Sequence, residues 1–179
     1  MPENIASQQQ GAKHLAARAV MAYRAGFSVA LLSVTNSNEH STGIVCDWKG
    51  ERDSFHNDLK LLSRAFAFVY IGSIVDQAIS DPISDELRKE LVSEMSSALE
   101  ARQTAVDWGV AEAVKDTNPY AHTGYKLASR LLRTDQPLIE SLARELTYQG
   151  TIEGDALKQW LDANASPLNF DELEASITY

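Results

Sequence analysis

Apolar residues recur at helical spacing along most of this chain, and two short apolar runs interrupt that rhythm near its start. Leu15, Ala16, Ala19, Val20, Ala22 and Tyr23 share one helical face. They predict a helix from about Gln9 to Arg24, with His14, Arg18 and Met21 on the opposite side and Gly26 as its C-terminal breaker. Val29–Val34 and Gly43–Trp48 then read as two strands, joined by a polar segment and paired antiparallel. Beyond them the helical period returns. Phe55, Leu59, Leu62, Phe66, Val69, Ile74, Val75 and Ile79 mark a helix from about Ser54 to Ile79, punctuated by Asp81-Pro82. Leu87, Leu91, Met95, Ala98, Arg102 and Ala105 give a stripe to a long helix from about Ile83 to Val114. After Pro119 come three more helices: Pro119 to Leu132, one opened by Asp135-Gln-Pro137 and closed by Gly150, and a last one from Gly154 to about Ala163. The middle one should turn Leu138, Ile139, Leu142, Ala143 and Leu146 inward.

This pattern predicts a mainly α fold with a small β ribbon after the first helix. Residues 1–10 read as a flexible lead, 11–164 as one domain, and 165–179 as a polar acidic tail with Phe170 and Leu173 as docking points. A chain of 179 residues is long enough to bury a sizeable core.

Charge and composition narrow the function classes. The net charge is −9, so phosphate backbones are repelled and nucleic acid is not an expected partner. Cys46 is the single cysteine, which excludes an internal disulfide and a cysteine-based zinc site. The longest apolar stretch, residues 65–79, is broken by Gly72, Ser73, Asp76 and Gln77, so no membrane span is expected. The N-terminal residues lack a basic start and an apolar run, which argues against a secretory signal and for the cytoplasm. No phosphate-binding loop of the G-x-x-x-x-G-K-[ST] type occurs. Trp48, Trp108 and Trp160 are too scattered to make a stacking platform.

Candidate chemistry starts with His14-Leu-Ala-Ala-Arg18. A zinc-peptidase helix carries H-E-x-x-H: two imidazoles one turn apart bind the metal, and the Glu activates water. Here His14 stands alone, Leu15 replaces the Glu, and Arg18 replaces the second His. One imidazole cannot hold a catalytic zinc, which needs three protein ligands, and a guanidinium beside it repels a cation. The plain alternative for His14 is a solvent-facing residue on a polar helix face.

The segments around this helix resemble the M41 peptidases, the proteolytic domain of FtsH-type ATP-dependent zinc metallopeptidases. His14-Leu-Ala-Ala-Arg-Ala-Val-Met-Ala-Tyr23 is similar to that family's H-E-A-G-H-A-V-V-A-Y, and Gly26-Phe-Ser-Val29 to its G-x-x-V. Ile71-Gly-Ser-Ile-Val-Asp-Gln-Ala-Ile79 is similar to its A-G-x-x-A-E helix. Tyr125–Leu132, Leu142–Leu146 and Thr151–Asp155 are similar to its Y-x-x-A-x-x-L-L, L-A-x-x-L and T-[IL]-x-G-[DE] segments, in the same order. The resemblance implies an M41-like helical fold over roughly residues 12–163. The family's third zinc ligand is an Asp on a later helix. The best local match, Ser97-Ala-Leu-Glu-Ala101, puts Ala98 there, with Asp85 and Glu94 as nearby carboxylates.

His14, Leu15, Arg18 and Ala98 are therefore expected to be vestigial catalytic positions, with zinc not expected. Arg18 is expected to pair with a carboxylate such as Glu94 or Glu100 in the vacated cleft. In the family the strand equivalent to Gly43, Ile44, Val45, Cys46, Asp47 and Trp48 borders the cleft, which makes this segment a candidate peptide-binding edge. An ordinary hairpin covering the helices is the competing reading, and Cys46 is expected to be a buried structural thiol. His40 beside Glu39, His56 near Asp53, and His122 have no partner His at metal-ligand spacing and read as solvated. The expected function is that of a degenerate, non-enzymatic peptidase-like domain binding a peptide or protein. The alternatives are an active zinc peptidase with displaced ligands and a structural or oligomerisation domain.

Overall fold

A computed structural model of the chain describes residues 2–35, 43–48, 60–78 and 118–177. Helix α1 spans Pro2–Arg24. Strand β1 (Phe27–Ser33) and strand β2 (Gly43–Trp48) follow, then helix α2 (Lys60–Ala78). Helices α3 (Asn118–Thr134) and α4 (Gln136–Gln149) lead to strand β3 (Thr151–Glu153), helix α5 (Gly154–Asn164) and helix α6 (Phe170–Ala175). Helix accounts for 75% of the described residues, which agrees with the mainly α expectation. The predicted start of the α2 helix at Ser54 and the long helix from Ile83 to Val114 lie outside the described residues. No helix among the described residues is long and apolar enough to cross a membrane.

Helix α1 is the centre of the packing, and it is buried on more sides than its apolar face predicts. It packs against α2 on one side, α4 on another and β1 near its end. Ala12, Ala16, Ala17, Ala19 and Ala22 are all buried, and such short side chains let neighbouring helices approach closely. Met21, placed on the polar side by the sequence pattern, is fully buried because neighbours surround the helix. The helix also begins at Pro2, well before the predicted Gln9, so the segment read as a flexible lead is helical. Gly26 ends it as expected, with φ of 88° that glycine adopts without strain.

Helix α2 is apolar on nearly every face. Ala65 to Ile71 are buried without interruption, as are Ile74 and Val75. It lies between α1 and α3, and a glycine marks close approach on each side. On the α3 side a β-carbon at Gly124 would sit 2.5 Å from Phe66 Cβ and 2.7 Å from the Ser63 carbonyl oxygen.

The sheet has the order β2-β1-β3, with both pairings antiparallel. The β1–β2 pair agrees with the predicted ribbon, and its register shifts around Ala30, between Val29 and Leu31. Strand β3 was not predicted as a strand. Gly150 (φ 77°) and Gly154 (φ 56°) bracket its three residues and turn the chain sharply at each end. Ile152 is buried, and Ser33 Oγ and Thr151 Oγ1 lie 2.9 Å apart, so the strand is held by one apolar and one polar anchor.

The segment read as a polar acidic tail carries helix α6 in its described part. Phe170 and Ile177 are buried, and Leu173 packs partly buried against the core, as its expected docking role requires. Arg64 of α2 donates to Asp171 and Glu174 at 2.8 Å each, and its guanidinium lies 5.0 Å from the Phe170 ring centroid. The same guanidinium donates to the Ala25 carbonyl, which ties α6, α2 and the end of α1 together.

Candidate functional site

His14 and Arg18 are one turn apart on α1, so their side chains emerge on the same face. That face meets α2 at Gly72. A β-carbon there would lie 2.6 Å from both Cε1 and Nε2 of His14, and 3.0 Å from Arg18 Nε. Only a residue without a side chain lets the imidazole and the guanidinium lie so close to the α2 backbone.

Both side chains are half-buried, so His14 is not the solvent-facing residue that the plain alternative describes. The Arg18 guanidinium carbon lies 5.2 Å from the centroid of Phe68, one turn before Gly72 on α2. Arg18 is therefore turned onto protein and not into bulk water. Its expected carboxylate partners, Glu94 and Glu100, lie outside the described residues. Leu15, expected from the resemblance to stand where a general base would, is buried and supplies only hydrocarbon.

Among the described residues the groups at this crossing do not make up a zinc site. His14 is the one imidazole, its Nε2 lies toward Gly72, and Arg18 puts a fixed positive charge one turn away. Among the described residues no group of three or more His, Cys, Asp or Glu side chains converges. Ala98, Asp85, His40 and His56 fall outside the described residues, and His122 is exposed on α3.

The candidate peptide-binding segment, Gly43 to Trp48, is β2. Among the described residues it pairs only with β1 and so forms one border of the sheet. Cys46 stands opposite Val29, and Trp48 opposite Phe27. Tyr23, the last residue of the α1 resemblance, donates its hydroxyl to Asp162 of α5 at 2.9 Å. Burial, then the Asp162 contact, raises the pKa of that phenol.

Two residues of this site were not singled out from sequence. Gly72 stood within the matched segment Ile71–Ile79, but nothing marked it as the floor under His14. Phe68 sits one helical turn earlier on an all-apolar helix, where periodicity cannot say which ring receives a cation. No known family's sequence model matches this chain, and none of the characterised proteins compared with it gives a significant match.

Proposed function

We propose that this chain is a catalytically inactive, M41-like domain of the cytoplasm that binds an extended peptide or protein segment along β2. The observation that carries the reading is the contact of His14 and Arg18 with Gly72. Two separate segments that resemble the peptidase family meet in space at His14 and Arg18, the positions to which the resemblance assigns its metal-binding helix. The groups at the meeting point are an imidazole, a guanidinium and, on the next residue, a buried leucine. None of the last two can ligate a metal or activate water. What remains usable is the border strand, whose backbone N–H and C=O groups can pair with an added strand.

The test is a peptide-library pull-down with the purified chain, alongside a chelator-controlled casein assay and a zinc determination. The reading expects retained extended peptides, no chelator-sensitive hydrolysis and substoichiometric zinc. Ile44 stands opposite Leu32, whose backbone groups face β3, so the N–H of Ile44 points to the open edge. Proline substitution of Ile44 should weaken peptide retention by removing that donor, with circular dichroism confirming that the helices persist. Stoichiometric zinc lost on His14→Ala, together with chelator-sensitive hydrolysis, would overturn it in favour of an active peptidase.

A further inference from the structure

One face of α3 collects positive charge that no carboxylate among the described residues pairs with. Lys126, Arg130 and Arg133 are spaced four and three residues apart, which aligns them along one helical face. They border a groove of about 720 Å³, with Ser129, Thr134 and Ser176 among its other lining residues. No carboxylate pairs with any of the three cations among the described residues. That is notable in a chain with 25 acidic and 16 basic residues. Of the three acidic residues of α6, Asp171 and Glu174 are engaged by Arg64, and Glu172 is exposed without an ion pair to this row among the described residues.

The groove has a fixed wall. Arg130 Nη1 donates to Ser176 Oγ at 2.9 Å, and Ser176 Oγ donates to the Leu173 carbonyl at 2.7 Å. The docked C-terminal segment thereby holds one guanidinium in place and leaves its remaining N–H groups for a ligand. Arg133 is positioned by a bond from Nε to the Ser129 carbonyl oxygen on its own helix. The helix C-terminus accounts for favourable placement of Arg133, but Lys126 lies two turns from that end.

We propose that this groove binds a compact anion carrying two or more phosphate groups. Planar guanidinium forks match phosphate oxygens, and Lys126 adds a point charge at the far end of the row. The row from Lys126 to Arg133 covers roughly 10 Å of helix axis at 1.5 Å per residue, so an oligophosphate can meet the three bases with less bending of their side chains than a single phosphate requires. Size also discriminates between polyanions. Screening confines surface attraction to about 8 Å at physiological ionic strength. A small oligophosphate stays within that distance of the three cations, whereas a nucleic acid or an acidic protein extends into the field of a chain whose net charge is −9.

The experiment is calorimetric titration of the full chain with inorganic pyrophosphate and tripolyphosphate, with sulfate as the single-anion control. Saturable one-to-one binding is expected, tighter for tripolyphosphate than for pyrophosphate, and at least about tenfold tighter than for sulfate. The double variant Lys126→Gln/Arg133→Gln should weaken oligophosphate binding at least about tenfold. Its melting temperature in buffer should match the parent's, because neither side chain bonds another element among the described residues. Oligophosphate affinity equal to that of sulfate, or unchanged in the double variant, would overturn the proposal. So would tighter binding of a single-stranded oligonucleotide or an acidic peptide, since neither is a compact anion.

Discussion

Gly72 and Gly124 sit on the two contacts of α2, yet they answer to different neighbours. At Gly124 an added methyl meets backbone: the Ser63 carbonyl oxygen at 2.7 Å and the Ala67 nitrogen at 2.9 Å. Backbone in a packed helix cannot step aside, so Gly124→Ala should destabilise the chain by roughly 1–3 kcal/mol. At Gly72 the atoms nearest the methyl belong to the side chains of His14 and Arg18, not to backbone. Gly72→Ala should therefore cost less, with the difference read from paired urea melts. Tyr70 offers the opposite change. It is 1% exposed, and its hydroxyl has no hydrogen-bond partner among the described residues. Tyr70→Phe removes that stranded group while keeping the stacked Phe66 contact, and should stabilise by about 1 kcal/mol. Burial raises the phenol's pKa from 10.0 to about 12. A raised pKa means the folded state holds the proton after the unfolded state has released it. The associated stability is complete below pH 10 and is lost as pH climbs toward 12. The gap between Tyr70→Phe and the parent should consequently widen over that interval in denaturant melts.

The elements show where sequence was legible and where it was not. Helices α3, α4 and α5 fall within a few residues of their predicted limits, because Pro119, Pro137, Gly150 and Gly154 impose backbone constraints that act locally. Ile139, Leu142, Ala143 and Leu146 are buried as their spacing requires. Strand β3 escaped because three residues are too short to display a period, and because its anchor Ser33 lies 118 residues away in the chain. The inside of α2 escaped for the opposite reason: an apolar helix has no polar side to orient it. His14 and Arg18 were legible as a pair, but not their burial against Gly72, since a contact between helices leaves no trace in either helix's own spacing. The docking of α6 depended in the same way on Arg64, an isolated cation in an apolar run. Arg64→Ala removes both ion pairs and the Phe170 contact at once. Faster hydrogen exchange is expected across residues 170–177, with α4 and α5 protected as before; unchanged exchange in α6 would mean that its apolar residues suffice to dock it.

At the scale of the whole molecule, the first helix and the last third of the chain are joined by one buried charge pair. Arg24 closes α1, and Asp135 stands in the one-residue joint between α3 and α4. Asp135 occupies the N-cap position of α4, but its side chain caps nothing there. It instead accepts from Arg24 Nε at 2.7 Å and from Nη2 at 3.0 Å, a two-pronged contact whose side chains are 6% and 8% exposed. Arg24 Nη1 also donates to the Ser166 carbonyl, which fixes the chain on its way to α6. Both charges have left water, and their desolvation is offset only while each keeps the other. Asp135→Asn leaves the guanidinium buried with an uncharged acceptor and should destabilise by about 3–5 kcal/mol. Arg24→Leu/Asp135→Leu removes both charges and should recover much of that loss, whereas an additive loss in the double variant would show that the pair contributes no coupling. Because the contact unites α1, the α3–α4 joint and the approach to α6, its rupture should lower the midpoint seen by tryptophan fluorescence and by far-ultraviolet circular dichroism together. Two separated midpoints would instead mean that α1 and the C-terminal helices unfold as independent units.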